Sequence, residues 1–159
     1  MGIISKKHLN IINHINFITN HQVCYGGSVE DYLLLSTADK KVGDLDVLIY
    51  DDETFKILSD VYELTPPKSS YFNRFMSEQF TKNNCIVDDI KIDFLYSNTP
   101  FNESLFTETV YKGVLIKHRT FDYKKSVLRE WVDKSVPDDM WANKKFGVIL
   151  KKYEDFNHK

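Results

Sequence analysis

Only two cysteines, Cys24 and Cys85, occur among the 159 residues. They are too few and too far apart for a disulfide framework or a zinc cage, and both are expected to be reduced and at least partly buried. No continuous apolar span approaches the roughly 18 residues of a membrane-crossing helix, and no positively charged leader precedes an apolar core. The expectation is a soluble, cytoplasmic protein with no membrane partner. An excess of one charge is also missing: 21 basic against 23 acidic residues leave a net of −2. That balance argues against a chain whose main task is gripping duplex nucleic acid, while leaving room for a local basic patch. There is no internal repeat and no low-complexity tract. The one cluster of breakers, Thr65 to Ser70 with Pro66 and Pro67, reads as a loop and not a domain linker. Apolar residues are plentiful at 42%, with 14% aromatic, enough to bury the core of one compact domain spanning 1–159.

Periodicity gives an alternating order of helices and strands. Ile11, Ile12, Ile15 and Ile18 recur at helical spacing, so residues 5–20 are expected to form an amphipathic helix packed on a sheet. A strand over 22–26, a helix over 28–36 and a strand over 44–50 follow. Asp51 then caps a helix with Asp52 and Glu53 in its first turn and Ile57, Leu58, Val61 and Leu64 on its inner face. Residues 75–82 and 86–96 read as extended, with Ile90, Ile92 and Phe94 on one face of the second segment and Lys91, Asp93 and Leu95 on the other. Next come a short helix around 101–111, a strand at Val114 to Lys117 and a helix capped by Thr120. A last helix begins after Ser135, with Pro137 early in it and Ala142, Phe146, Ile149 and Tyr153 turned inward. The fold class is α/β (α+β): a small mixed, partly antiparallel sheet flanked by helices, with a C-terminal helical segment over about 120–157.

Chemistry enters through a split acidic motif. Side chains alternate across a strand, so Asp44 and Asp46 project from one face while Leu45 and Val47 face the other way. Two carboxylates so placed raise a pKa or demand a cation, and a hard oxygen site for magnesium satisfies them. Asp93, on a later strand between Ile92 and Phe94, supplies a third acid for a two-metal clamp. Upstream, Tyr25, Gly26, Gly27 and Ser28 read as a strand ending in a tight turn. The glycines let backbone approach a ligand, and Ser28 is placed as a helix N-cap with Asp31 completing a capping box. Such a helix start offers N–H groups and a positive dipole end to phosphate.

A strand ending in Gly-Gly-Ser, a short helix, a strand bearing Asp-Leu-Asp and a later Ile-Asp-Phe strand together resemble the nucleotidyltransferase superfamily related to DNA polymerase beta. The resemblance covers about 22–97, with weaker support to about 132, and makes the chain a minimal member with a single such domain. It implies that Asp44, Asp46 and Asp93 bind two divalent ions, Mg2+ or Mn2+, and that Gly27 and Ser28, with Gly26 supporting the turn, contact the phosphates of a nucleoside triphosphate. The implied activity is transfer of a nucleoside monophosphate to an acceptor hydroxyl on a small molecule, a protein or RNA. Neither the acceptor, the base nor the oligomeric state is selected by the residues.

Two other classes stay open. One is a catalytically inactive nucleotide-binding or interaction module of the same fold. The other is a metal-dependent nuclease built on Asp89 and Lys91 with an upstream acid such as Asp46, which leaves Gly26 to Ser28 unexplained. His8, His14, His21, His118 and His158 are scattered, with no metal or nucleophile spacing, and read as structural or solvated. Lys117, Arg119, Lys124, Lys125 and Arg129 form a basic stretch that a solvated helix face explains more simply than phosphate binding. Lys40 and Lys41 precede the acids in a loop and read as surface.

Overall fold

A computed structural model of the protein describes residues 4–36, 42–64, 80–97, 99–134 and 140–156. The first helix, α1 (Lys6–Thr19), starts where the Ser5 side chain accepts from the His8 backbone N–H and ends at Asn20 in the left-handed region. Ile11, Ile12 and Ile15 are buried on its inner face, as their spacing requires. Then come β1 (Cys24–Gly26), α2 (Gly27–Leu35), β2 (Leu45–Ile49) and α3 (Asp52–Tyr62). Asp51 caps α3 through both oxygens, accepting from the Thr54 N–H and the Thr54 hydroxyl at 2.8 Å each. The remaining elements are β3 (Phe80–Val87), β4 (Ile90–Ser97), a 3-10 turn at Glu103–Leu105, β5 (Phe106–Tyr111), β6 (Val114–Arg119), α4 (Phe121–Lys134) and α5 (Met140–Asp155). Among the described residues no helix is long and apolar enough to cross a membrane.

The four-stranded sheet has the order β1-β2-β4-β3. β1 and β3 run antiparallel to their neighbours, while β2 and β4 pair in parallel, so the sheet is mixed as expected. One face carries Tyr25, Leu45, Val47, Ile49, Ile92 and Phe94 into the main core with α1 and α3. The other carries Cys24, Leu48, Phe80 and Leu95 into a smaller cluster, capped by Tyr50 and Phe106. Beyond that cluster, on the same face, lie the acids.

Several elements differ from the sequence reading. Residues 106–111 are a strand and not part of a helix. Phe106, Thr107, Thr109, Val110 and Tyr111 are β-formers, and Lys112 and Gly113 both take positive φ, the requirement of a tight hairpin turn. The break between β3 and β4 falls at Asp88 and Asp89, both at positive φ, so β3 runs through residues 83–85. On α3 the inward residues are Thr54 and Leu58, with Phe55 and Tyr62 packed against the core, and Val61 is exposed. The readings at Lys40 and Lys41, Thr65 to Ser70, 75–79, Pro137, the Ala142 side chain and His158 lie outside the described residues.

The basic stretch is also corrected. Lys124 shares the inner face of α4 with Val127 and Leu128, at i, i+3 and i+4, and is buried with Arg119. Both meet Glu30 of α2, which has no exposed surface. Its Oε1 accepts from Lys124 Nζ at 2.8 Å and from Arg119 Nη1 at 3.0 Å, and its Oε2 from the Arg119 backbone N–H at 2.9 Å. Burial alone would push the Glu30 carboxyl up, but the two cations and their hydrogen bonds hold it below its ordinary value. Beside it, Asp31 accepts from the Tyr153 hydroxyl of α5 at 2.5 Å. Thus α2 is pinned at its first turn by charges and at its last turn by Leu34 and Leu35, which pack with Leu128, Leu150 and Tyr153.

A buried charge network is destabilised most by removing one member, because the others remain desolvated. Glu30→Ala is expected to cost about 3–5 kcal/mol, read as a lowered urea midpoint at unchanged m-value. A loss below about 1 kcal/mol would show that Arg119 and Lys124 find other partners.

Candidate active site

Register assembles the site. Gly26 of β1 pairs with Asp46 of β2, and Asp46 pairs with Asp93 of β4. Adjacent strands lie about 4.8 Å apart, so residues paired in this way project side by side from one face. Asn84 of β3 continues the row opposite Asp93. Gly26, Asp46, Asp93 and Asn84 therefore form one line across all four strands. Asp44 sits in a bend just before β2 and is exposed.

Gly27, the first residue of α2, has φ +60, and a Cβ added there would stand 2.3 Å from Asp46 Oδ2. Glycine is needed twice over at this point, for the left-handed backbone and for the close approach of the carboxylate. Ser28 does not cap the helix. The N-cap is Gly26, with no side-chain cap bond. The Ser28 Oγ instead reaches across to the acid-bearing segment, accepting from the Gly43 N–H at 3.3 Å and donating to the Asp44 carbonyl at 3.4 Å. Asp31, which the capping box assigned to Ser28, belongs to the Tyr153 and Lys124 cluster.

His8 meets the same segment from the other side. Its Nε2 lies 2.7 Å from the Gly43 carbonyl and its Nδ1 2.5 Å from Ser5 Oγ. A carbonyl only accepts, so Nε2 carries the proton. Two helices thus clamp the peptide that leads into Asp44. Sequence spacing hid this role, because His8 and Gly43 are 35 residues apart. His118, also buried, is held by Thr109 and its neighbour's carbonyl, a structural histidine as its isolation in the sequence implies.

The electrostatics of the paired acids follow from this geometry. Burial and then the adjacent Asp93 charge push the Asp46 carboxyl up to about 6, with Asp44 adding to the rise and Lys124 and Arg119 opposing it. Asp93 is also raised, chiefly by burial, against the pull of Lys82 and Lys91. Their Nζ atoms lie 3.7 and 3.9 Å from its Oδ1. That oxygen is buried without a hydrogen-bond partner. Among the described residues no three acid, histidine or cysteine side chains form a ready-made metal cage. A buried, unsatisfied carboxylate oxygen beside a second carboxylate nonetheless has the hard-donor chemistry that a divalent ion satisfies. Asp89 does not join the acids. It lies in the β3–β4 turn, almost fully exposed and 3.9 Å from Lys7, so the nuclease arrangement with Lys91 is not built.

No protein-family model and no curated protein matches the chain. Solved structures do. A Thermotoga maritima protein classed as a nucleotidyltransferase aligns with a TM-score of 0.53 at 16% identity, over 80% of this chain and 93% of that one. ANT(2″)-Ia, solved in complex with adenylyl-2″-tobramycin, aligns with a TM-score of 0.53 at 11% identity, over 92% of this chain and 96% of that one. The chain has the nucleotidyltransferase fold. This agrees with the architecture that the Gly-Gly-Ser and Asp-Leu-Asp pattern implied, and it extends beyond residues 22–97 to the C-terminal helices.

Two substitutions test the geometry. Gly27→Ala forces a left-handed alanine against Asp46 and is expected to cost at least about 1–2 kcal/mol, measured by denaturant melt. For Asp46, a folded-state pKa raised above the unfolded value means that the protonated form is favoured by folding and that ionisation opposes it. Asp46→Asn is therefore expected to stabilise the protein by up to about 2–3 kcal/mol above pH 6. The advantage should shrink as pH falls through 6 and vanish below about 4. A pH-independent difference would contradict the buried-pair account.

Proposed function

We propose that the protein is a divalent-metal-dependent nucleotidyltransferase that moves a nucleoside monophosphate from a nucleoside triphosphate to an acceptor hydroxyl. The observation that carries the reading is the pairing of Asp46 with Asp93 on one face, against the glycine turn that begins α2. The first N–H groups of a helix lack intrahelical partners and sit at its positive end, so Gly27, Ser28 and the residues after them suit phosphate oxygens. Gly26 contributes a backbone with no side chain to obstruct that approach.

Asp44 and Asp46 would hold one divalent ion, and Asp93 would share a second with them. Magnesium or manganese bound there would supply neutralisation of the triphosphate and a lowered pKa for the acceptor hydroxyl. The hydroxyl oxygen forms a bond to the α-phosphorus, the bond from that phosphorus to the bridging oxygen breaks, and pyrophosphate departs. Asp93, whose carboxyl is raised above its ordinary value chiefly by burial and is to that extent the better base, suits the receipt of the hydroxyl proton. Asp44, exposed and ahead of the strand, would approach the ions from outside the sheet.

The test is transfer of label from α-labelled nucleoside triphosphates, with magnesium or manganese, into an extract separated into protein, RNA and small-molecule fractions. Asp46→Asn is expected to reduce transfer at least about 100-fold. Metal-dependent triphosphate binding without any transfer would favour the inactive binding module. Absence of binding as well would remove the nucleotidyltransferase reading.

A further inference from the structure

The sheet positions two of the three acids and leaves the third to side chains. Pairing of β2 with β4 begins at Leu45, and its pairing with β1 reaches back only to Asp46. Asp44 stands ahead of both ladders, so its approach to the paired acids is set by the peptide that joins it to Gly43. Backbone outside a ladder must find its partners elsewhere. Here both polar groups of Gly43 are taken by side chains from helices: its N–H by Ser28 Oγ at 3.3 Å, and its carbonyl by His8 Nε2 at 2.7 Å.

The distances rank these contacts. Ser28 reaches Gly43 and the Asp44 carbonyl at 3.3 and 3.4 Å, the long end of hydrogen bonding, whereas the His8 contact is shorter than the roughly 2.9–3.0 Å typical of N–H donors. His8 is also firmly mounted. It is 6% exposed, in the first turn of α1, and the N-cap Ser5 holds it twice, its Oγ accepting from the His8 backbone N–H at 3.2 Å and donating to Nδ1 at 2.5 Å. That donation leaves the ring proton on Nε2, where the Gly43 carbonyl needs it. Ile4, Leu9, Ile11 and Ile12 bury the same end of α1 in the main core. One residue on from the carbonyl that His8 grips stands the acid that no ladder holds.

We propose that His8 is a positioning residue of the divalent-ion site, a role that rests on the metal-binding reading of Asp44, Asp46 and Asp93 above. Through the Gly43 carbonyl it fixes the peptide from which Asp44 projects, so that this acid meets an ion together with the paired ones. His8 itself touches neither metal nor substrate. Groups that orient a metal ligand govern affinity nearly as strongly as the ligand does, so the histidine acts on metal binding and acts only through Asp44.

The experiment titrates manganese alone into the full-length protein and follows the free ion by electron paramagnetic resonance. Its informative pair is His8→Asn and His8→Gln. Glutamine carries its amide nitrogen about as far along the side chain as Nε2 and asparagine only as far as Nδ1, so the first keeps the bond to Gly43 and the second loses it. His8→Asn is expected to weaken manganese binding about tenfold, and His8→Gln to stay within about threefold of wild type. Asp44→Asn should also weaken binding, and adding His8→Asn to it should cost no more than about a further twofold. Ser5→Ala leaves the imidazole in place without its holder, and is expected to weaken manganese about threefold, again without adding to Asp44→Asn. The proposal is overturned by wild-type affinity in His8→Asn, or in Ser5→Ala where His8→Asn does not fold. It is overturned equally by a glutamine variant as weak as the asparagine one, or by losses that multiply with Asp44→Asn, the mark of a histidine that only stabilises the fold. Manganese binding that is absent from wild type with or without a triphosphate, or indifferent to Asp44→Asn and Asp46→Asn together, would instead strike the metal-site reading itself, and the role of His8 would fall with it.

Discussion

Two carboxylates, Asp46 and Asp93, are held abreast on neighbouring parallel strands, and neither can move away without shifting the register of the sheet. Like charges at adjacent-strand spacing repel, and burial compounds the cost of ionising both. The surrounding structure is arranged around that conflict. Gly27 must be a glycine because Asp46 lies against it, α2 must begin there because its first turn follows the glycine, and the lysines of β3 and β4 must face inward to offset Asp93.

The helix that faces these acids is itself held by charge. Glu30 takes up two buried cations that lie close enough to oppose the rise in the Asp46 pKa. The same residues that fix α2 therefore also temper the rise that burial and Asp93 impose on Asp46. Arg119 and Lys124 are framework and electrostatics together, and they come from β6 and α4, outside the 22–97 core on which the sequence resemblance chiefly rests. The C-terminal helices do not form an appendage. They bury the last turn of α2 through Leu34 and Leu35, so the turn that would face phosphate is braced from behind.

How much of this was legible before the fold was known depended on whether the signal was local. Alternation in Asp-Leu-Asp and Ile-Asp-Phe placed Asp46 and Asp93 on one face but wrongly carried the strand back to Asp44, which lies in a bend before it, and isoleucine spacing placed α1, because strand and helix periods are properties of short segments. The Asp51 cap was equally local. Ser28 was misread because serine after glycine satisfies the capping pattern as a string, while its real partners, Gly43 and Asp44, lie 15 and 16 residues on. Residues 106–111 were misread because alternating Thr, Glu and Thr give no strong apolar period, and the Lys112-Gly113 turn went unused. Arg119 and Lys124 looked like surface because charge is normally solvated. Only the approach of Glu30, 89 residues from Arg119, makes their burial possible.

The acids do not form a ready-made cage, and the reason lies in their unequal placement. Asp46 and Asp93 are fixed by ladder hydrogen bonds on both sides, since β2 and β4 are the interior strands of the sheet. Asp44 sits ahead of β2, exposed, on a peptide clamped by His8 and Ser28. The clamp holds its backbone, and its side chain is exposed. Two carboxylates fixed on interior strands and a third exposed ahead of them limit how much like charge is buried together. Three rigid carboxylates at bonding distance would cost far more in the empty protein, because each added charge raises the penalty on the others. The exposed position of Asp44 is thus what keeps the cost of gathering three acids within reach of the fold.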